Sequence, residues 1–431
     1  MCLNLASCYQ GGMMTSVKAA NNLSNPSRGP ALRRVLGLWL LVLYGLGGII
    51  GAGIYVLVGA VADVAGFATP VSFVLAGVLA GLTGLSYAEL SVRYPEAAGA
   101  AVYVREAFGS DALSRLIGFC VVAVGVFLAA SLSRGAVGYL NRFIEVAELP
   151  AALALVAGFT VIACIGVGSS VKTAAIMTLV EILGLVIVVI AGVPMLIHLP
   201  DIVPAMMPTS SAVASGIALG TFLAFFAFLG FEDIVNMAEE TSDARRVLPR
   251  AILLTILITT VIYGIIALVA VTAVPMEKLA GSRAPLELIV EGVSWVPSGT
   301  LSVIALIAVP NGILITLVML ARILYGMARR GWVPSVFGHV NARTRTPLFA
   351  TLVSGAAVAG VAGVINFVGL VTLTSAVNLF VFTVVNCALW KLHRTTKRVE
   401  VPGPGTFHVP LWVPPLGAIC SLALLATQFL I

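Results

Sequence analysis

The groups in this sequence that could do chemistry are mainly main-chain dipoles. Gly45, Gly47, Gly48, Gly51 and Gly53 crowd one apolar run, which reads Tyr-Gly-Leu-Gly-Gly-Ile-Ile-Gly-Ala-Gly-Ile-Tyr from Tyr44 to Tyr55. Each glycine costs a helix interior about 1 kcal/mol relative to alanine. In lipid, a helix is also the cheapest way to satisfy backbone N–H and C=O groups. Such a run therefore predicts a helix that breaks partway, and the freed groups must face protein, a cavity or a ligand. The half-helix after the break would present the positive end of its dipole, which suits a carboxylate. Gly51, Ala52 and Gly53 are the candidates for that role. The plainer alternative is close packing of helices through small residues, but glycine is denser here than packing requires.

A second run repeats the logic. Gly220–Glu232 reads Gly-Thr-Phe-Leu-Ala-Phe-Phe-Ala-Phe-Leu-Gly-Phe-Glu. A half-helix that ends there would offer partial negative charge, which suits an ammonium group. The carbonyls of Phe226, Ala227 and Leu229, with that of Ile49 from the first run, are the predicted acceptors. Ile50 and Gly230, at the two breaks, complete the predicted substrate-binding set. Phe222, Phe225, Phe226 and Phe228 also fit a packed aromatic stripe, which competes for their side chains and not for the backbone break.

Two acids stand at membrane depth. Glu181 has no other charge within eight residues on either side. An ionised group in that position costs about 2.5–3.5 kcal/mol by insertion scales, so intramembrane charge is read as functional until shown otherwise. A proton or a sodium ion could bind there. An ion pair, for instance with Arg134, is the alternative. Glu232 follows the second break directly and must be paired, protonated or wet. Asp233 reads as an acid near a helix end. Phe127–Ser131 and Asn311–Thr316, including Thr316, are the expected pocket walls, and they carry no acid. Arg322 sits deeper than its basic neighbours, where it either snorkels outward or forms part of a gate.

The elements that must position these groups are apolar segments. The chain has 431 residues, 60% hydrophobic and only 10% charged. Eleven segments are long enough to approach the ~30 Å hydrocarbon layer: 36–61, 69–92, 116–139, 151–168, 173–197, 214–236, 250–274, 299–327, 348–364, 367–390 and 409–431. With the N-terminus inside, every one of the 24 Lys and Arg residues except Arg134, Arg142, Lys278 and Arg283 falls on the inner side. That bias predicts a cytoplasmic N-terminus, and residues 1–34 read as a disordered cytosolic tail. The net charge of +6 sits in short loops and does not point to nucleic acid. Six cysteines and four histidines lack ligand spacing, so neither metal nor cofactor is expected. No catalytic triad or phosphate loop is visible, and the glycines miss the dinucleotide fingerprint, so an enzyme is not expected. Segments one to five and six to ten make two sets of five, the second inverted relative to the first. Each set opens with a broken helix, which points to a transporter site at the repeat interface.

At this point the residues resemble a known family. Gly47–Gly59 resembles the first-helix signature of amino acid–polyamine–organocation transporters. Tyr87-Ala88-Glu89-Leu90 with Pro95, Gly99 and Tyr103 resembles the stretch after their second helix. Phe225–Glu232, Glu239-Glu240 and Leu248-Pro249-Arg250 resemble the sixth helix and following loop. Ala321-Arg322, Met327-Ala328-Arg329, Gly331 and Pro334 resemble the inner end of the eighth. The similarity covers 36–430 and implies an all-α integral membrane protein of the leucine-transporter type, with five-plus-five inverted repeats (36–198 and 214–390) and discontinuous helices one and six. Members commonly carry one helix more than the eleven found here, where 409–431 is the extra helix, so either that last helix is absent or the chain is cut short.

The resemblance implies a secondary active transporter of amino acids that works by alternating access, as a proton-coupled symporter or exchanger in the plasma membrane. By it, Gly51, Ala52 and Gly53 match the carboxylate-binding triplet, Phe226 an aromatic lid, and Glu232 an acid used in proton sensing or gating. Some proton-coupled relatives place a lysine at the position of Glu181. The opposite sign here means the lysine mechanism does not carry over. Neutral amino acids are favoured over cationic amino acids, amines or polyamines. A channel-type or receptor-like membrane protein is the more distant alternative.

Overall fold

The computed structural model describes residues 34–395, apart from Ala52, Arg142, Gly281 and Arg283, and residues 407–427. The expected tail and the predicted contribution of Ala52 lie outside the described residues. Among these residues every transmembrane element is helical. By length and composition eight helical runs could cross a membrane, and Leu38–Ile50, Leu348–Val364 and Val413–Ala426 are shorter apolar helices. Together they account for all eleven segments, so the chain is a multi-pass membrane protein.

The first segment is two helices, α1 (Leu38–Ile50) and α2 (Ile54–Ala65). Gly66, with φ 56°, ends α2, and Pro70 near the start of α3 (Thr69–Arg93) restarts the chain in the next helix. A short helix α4 (Gly99–Phe108) stops at left-handed Gly109, and Ser110 then caps α5 (Asp111–Leu140) by accepting from the Leu113 amide. α6 (Glu148–Ile165) and α7 (Val167–Gly192) complete the first half.

The short α8 (Leu199–Met206) leads to α9 (Ser211–Phe226), capped by Ser210. The sixth segment then changes form. Phe231–Glu240 is a ten-residue 3₁₀ helix. Such runs rarely exceed about four residues, and a long one marks strain or function. α10 (Ala244–Ala273), the short α11 (Met276–Ala280) and α12 (Pro285–Val290), α13 (Thr300–Arg329), α14 (Leu348–Val364), α15 (Phe367–Thr395) and α16 (Val413–Thr427) follow.

The broken segments lie between two sets of unbroken helices. α3 and α10 pack closely together, and α9 and α2 lie against them; α5 and α13 form the other main contact, with α6 and α14 beside them. α13 is the most enclosed helix, buried nearly throughout from Leu301 to Met327. At the outer faces the pattern reverses: Ile176, Leu179, Leu183, Val186 and Ile190 on α7 are exposed at helical spacing. An apolar stripe of that kind suits lipid.

Candidate functional site

Both breaks form, and they touch. α1 stops at Ile50, where the carbonyl accepts from the Gly53 amide at 3.2 Å, and α2 starts at Ile54. α9 stops at Phe226. The amides of Ala227, Phe228 and Leu229 each reach a carbonyl three residues back, at 3.0, 3.0 and 3.2 Å. Gly230, at φ 124°, then turns the chain into the 3₁₀ stretch. Side chains at the contact would not fit. A Cβ on Gly230 would lie 3.0 Å from the carbonyl carbon of Gly48, and one on Gly53 would lie 2.7 Å from the Ala227 methyl. A Cβ on Gly51 would lie 2.5 Å from the Ala308 carbonyl oxygen on α13.

Two of the four predicted acceptors converge. The Tyr263 hydroxyl on α10 lies 2.9 Å from the Ile49 carbonyl and 3.1 Å from that of Ala227. The Phe226 carbonyl accepts from Leu229 within its own turn. The Phe226 ring borders a cavity of about 290 Å³ whose walls include Leu57 of α2, Leu219 and Phe222 of α9, and Val371 and Ser375 of α15. Among the described residues, no charged one lines it. Thr316 is buried on α13, next to Ile315, whose methyl would stand 3.4 Å from a Cβ on Gly48.

The two acids differ in how they are held. Glu181 is fully buried on α7. Its Oε1 accepts from Asn311 Nδ2 at 2.8 Å, and the same amide reaches the Thr178 hydroxyl at 3.0 Å. Among the described residues, Glu181 Oε2 and Asn311 Oδ1 have no hydrogen-bond partner. The cluster abuts α1, since a Cβ on Gly47 would stand 2.6 Å from Asn311 Nδ2. Glu181 does not pair with Arg134, the alternative the sequence left open. Arg134 instead donates to the Ala362 carbonyl and to Glu148. Glu232, by contrast, has both oxygens satisfied: Oε2 accepts from the Gly230 amide at 2.9 Å and Oε1 from Asn378 Nδ2 on α15 at 2.7 Å. Glu232 thus braces the second break, and Asp233 is buried beside it.

The end of the bundle where the chain enters is closed by ion pairs. Arg322 does not snorkel. It is 1% exposed and grips Glu240, the last residue of the 3₁₀ stretch, with Nε at 3.2 Å and Nη2 at 3.0 Å. Arg329 reaches Glu239 at 2.7 Å, and Arg330 bridges Glu96 and Glu106. The chain ahead of α1 is clipped there too, with the Val35 and Leu36 amides on the Glu240 carbonyl. The histidines, scattered in sequence, partly gather: His393 and His408 both face Glu89, which also holds Arg93 and the Val409 amide.

Sequence reasoning missed Tyr263, Asn378 and the Glu240 partner of Arg322. A signal existed for the first. Tyr263 is a phenol in the middle of an apolar run, and a buried tyrosine hydroxyl requires a partner just as a buried acid does.

Comparison with known proteins agrees with this architecture. A solved structure, MhsT in complex with L-phenylalanine, superimposes with TM-score 0.64 over 93% of this chain and 100% of that one, at 15% identity. At that identity the likeness concerns the fold alone, which is the expected leucine-transporter type. Curated relatives include cationic amino acid transporter 3, mitochondrial, of Arabidopsis thaliana (29% identical, 85% of this chain). They also include the methylthioribose transporter of Bacillus subtilis (29%, 91% of this chain, 87% of that protein) and its branched-chain amino acid permease (27%, 93% and 88%). The chain spans 64% of the length of the plant relative. The family model described as amino acid permease matches residues 36–431. That match runs from the clip ahead of the first broken helix through both breaks and beyond, and the chain belongs to the amino acid permease family.

Proposed function

We propose that the chain carries amino acids across the plasma membrane by alternating access, with its N-terminus in the cytoplasm. The observation that carries this reading is the meeting of two broken helices at one point, with the Ile49 and Ala227 carbonyls turned to it. An ammonium group suits those carbonyls and the end of α9. A carboxylate suits the start of α2, at Gly51, Ala52 and Gly53. Ile50, Leu229 and Gly230 shape the breaks, and Phe226 with Thr316 flank the bound molecule. The polar ends of the substrate are thus read by the main chain, and its side chain by the walls.

Those walls favour neutral side chains. Neither Phe127–Ser131 nor Asn311–Thr316 holds an acid, and the cavity beside Phe226 is uncharged. Reconstituted protein is expected to take up labelled leucine, alanine or serine in preference to arginine or lysine. Strong preference for the cationic pair, as the plant relative's name describes for that protein, would overturn the neutral assignment. Uptake of amines with no competition from any L-amino acid would overturn the substrate class. Trans-stimulation of uptake separates a carrier from a pore, since a pore shows none.

Coupling is assigned to Glu181 rather than Glu232. Both oxygens of Glu232 already have donors, whereas Glu181 keeps one unmatched oxygen beside an unmatched amide oxygen. A buried carboxylate with an empty acceptor position is costly, and a bound proton or a sodium ion would relieve it. Because the cluster touches α1 at Gly47, its occupancy would be felt at the break. Uptake is expected to rise as external pH falls, and Glu181→Gln is expected to flatten that dependence. An unchanged pH and sodium dependence in the variant would remove Glu181 from coupling.

A further inference from the structure

We propose that Tyr263 is a positioning residue that stands in for the substrate amine when the carrier is empty and then selects primary over N-methylated amino groups. This rests on the amino acid reading above. The hydroxyl carries one proton and has two carbonyls within reach, Ile49 at 2.9 Å and Ala227 at 3.1 Å, while its oxygen accepts from the Ile54 backbone amide. The two belong to the two different broken segments, so a single phenol ties the breaks together. Its ring is fixed edge-on by Phe73 at 5.7 Å and Phe228 at 5.2 Å, and it is fully buried. The hydroxyl also marks how tight the junction is: a Cβ on Gly53 would lie 2.7 Å from it.

One donor cannot saturate two carbonyls. A primary ammonium has three donors. Two of them reach the Ile49 and Ala227 carbonyls and the third meets the phenol oxygen, whose own proton stays on the second lone pair of one of those carbonyls. The hydroxyl therefore holds the acceptors in place while the site is empty and becomes the third contact when it is filled. A singly N-methylated amino group keeps two donors. It can satisfy both carbonyls but makes one contact fewer, and the phenol oxygen then keeps only the Ile54 backbone amide as its donor. Discrimination between the two substrates then resides in one oxygen atom.

The test compares an amino acid with its N-methyl analogue in wild type and Tyr263→Phe, using proteoliposome uptake normalised to inserted protein. In wild type the N-methyl analogue is expected to have a KM about ten-fold higher, the scale of one hydrogen bond to a charged group. In Tyr263→Phe the KM for the parent is expected to rise about ten-fold while that of the analogue barely moves, so the ratio falls toward one. A structural role alone would raise both KM values together, and that result overturns the proposal. If the Phe variant does not insert, competition in the wild type is read instead. An N-methyl analogue about ten-fold weaker than its parent supports the assignment, and equal potency overturns it. Wild-type protein that transports no amino acid at all fails the substrate reading itself, which is a different result from an unchanged ratio.

Discussion

Gly230→Ala is expected to abolish uptake while leaving the protein inserted in the membrane. Two costs combine at this position. The backbone sits at φ 124°, where an L side chain is strained by about 1–3 kcal/mol. The new methyl would also lie 3.0 Å from the Gly48 carbonyl carbon and 3.1 Å from its oxygen. Those are main-chain atoms of α1, which cannot rotate out of the way as a side chain tip can. The two breaks must separate, and the Ile49 and Ala227 carbonyls move apart with them. Misplacement of the proposed binding groups by about 1 Å can cost a hundred-fold in rate, so kcat/KM is expected to fall by at least that. Gly53→Ala should match it, because its methyl meets Ala227 at 2.7 Å and the Tyr263 hydroxyl at the same distance. Gly81→Ala on α3 and Gly138→Ala on α5 are the controls, since neither methyl meets anything within 4 Å. Both should transport normally, and each adds helix propensity of about 1 kcal/mol. Normal uptake by Gly230→Ala would mean that contact between the breaks has no part in transport.

The breaks were legible in the sequence because glycine is costly in a lipid-embedded helix and therefore informative where it clusters. The eleven apolar segments were legible for a related reason: a chain that must satisfy its backbone inside lipid has few alternatives to helix. Side-chain pairing across the bundle was not legible in the same way. Asn378 meets Glu232 across 146 positions, and His393 meets Glu89 across 304. No local spacing encodes either contact, so four histidines without ligand spacing could still place two around one carboxylate. The 3₁₀ form of Phe231–Glu240 was also invisible, because Ile234, Val235, Met237 and Ala238 read as ordinary helical burial. Tyr263 lay between these cases. Its burial could be read from the run around it, but not that its hydroxyl would meet the two carbonyls already singled out.

Arg322→Met is expected to destabilise the protein severely, and adding Glu240→Met is expected to restore most of the loss. The pair is 1% and 0% exposed and forms two hydrogen bonds. Removing one partner strands a buried charge, which costs about 3–5 kcal/mol. Replacing both with apolar side chains of similar length removes the desolvation cost along with the attraction, and such swaps are often neutral or stabilising by about 1–4 kcal/mol. Thermal unfolding of the single and double variants in detergent reads the difference directly. The functional consequence runs the other way. Arg322 belongs to α13, packed with α5, whereas Glu240 ends the 3₁₀ stretch that leaves the second break. Its carbonyl also holds the Val35 and Leu36 amides ahead of α1. This one residue therefore clamps both broken segments to the unbroken scaffold at the end where the chain enters. For that end to open, the clamp must release. A stable double variant should then show altered exchange kinetics, with substrate bound normally but released faster on the clamped side. If the double variant unfolds as readily as Arg322→Met, the pair is not the isolated buried clamp its geometry describes. If it is stable and exchanges at the wild-type rate, the closing of this end depends on the neighbouring Arg329–Glu239 and Arg330–Glu96 pairs instead.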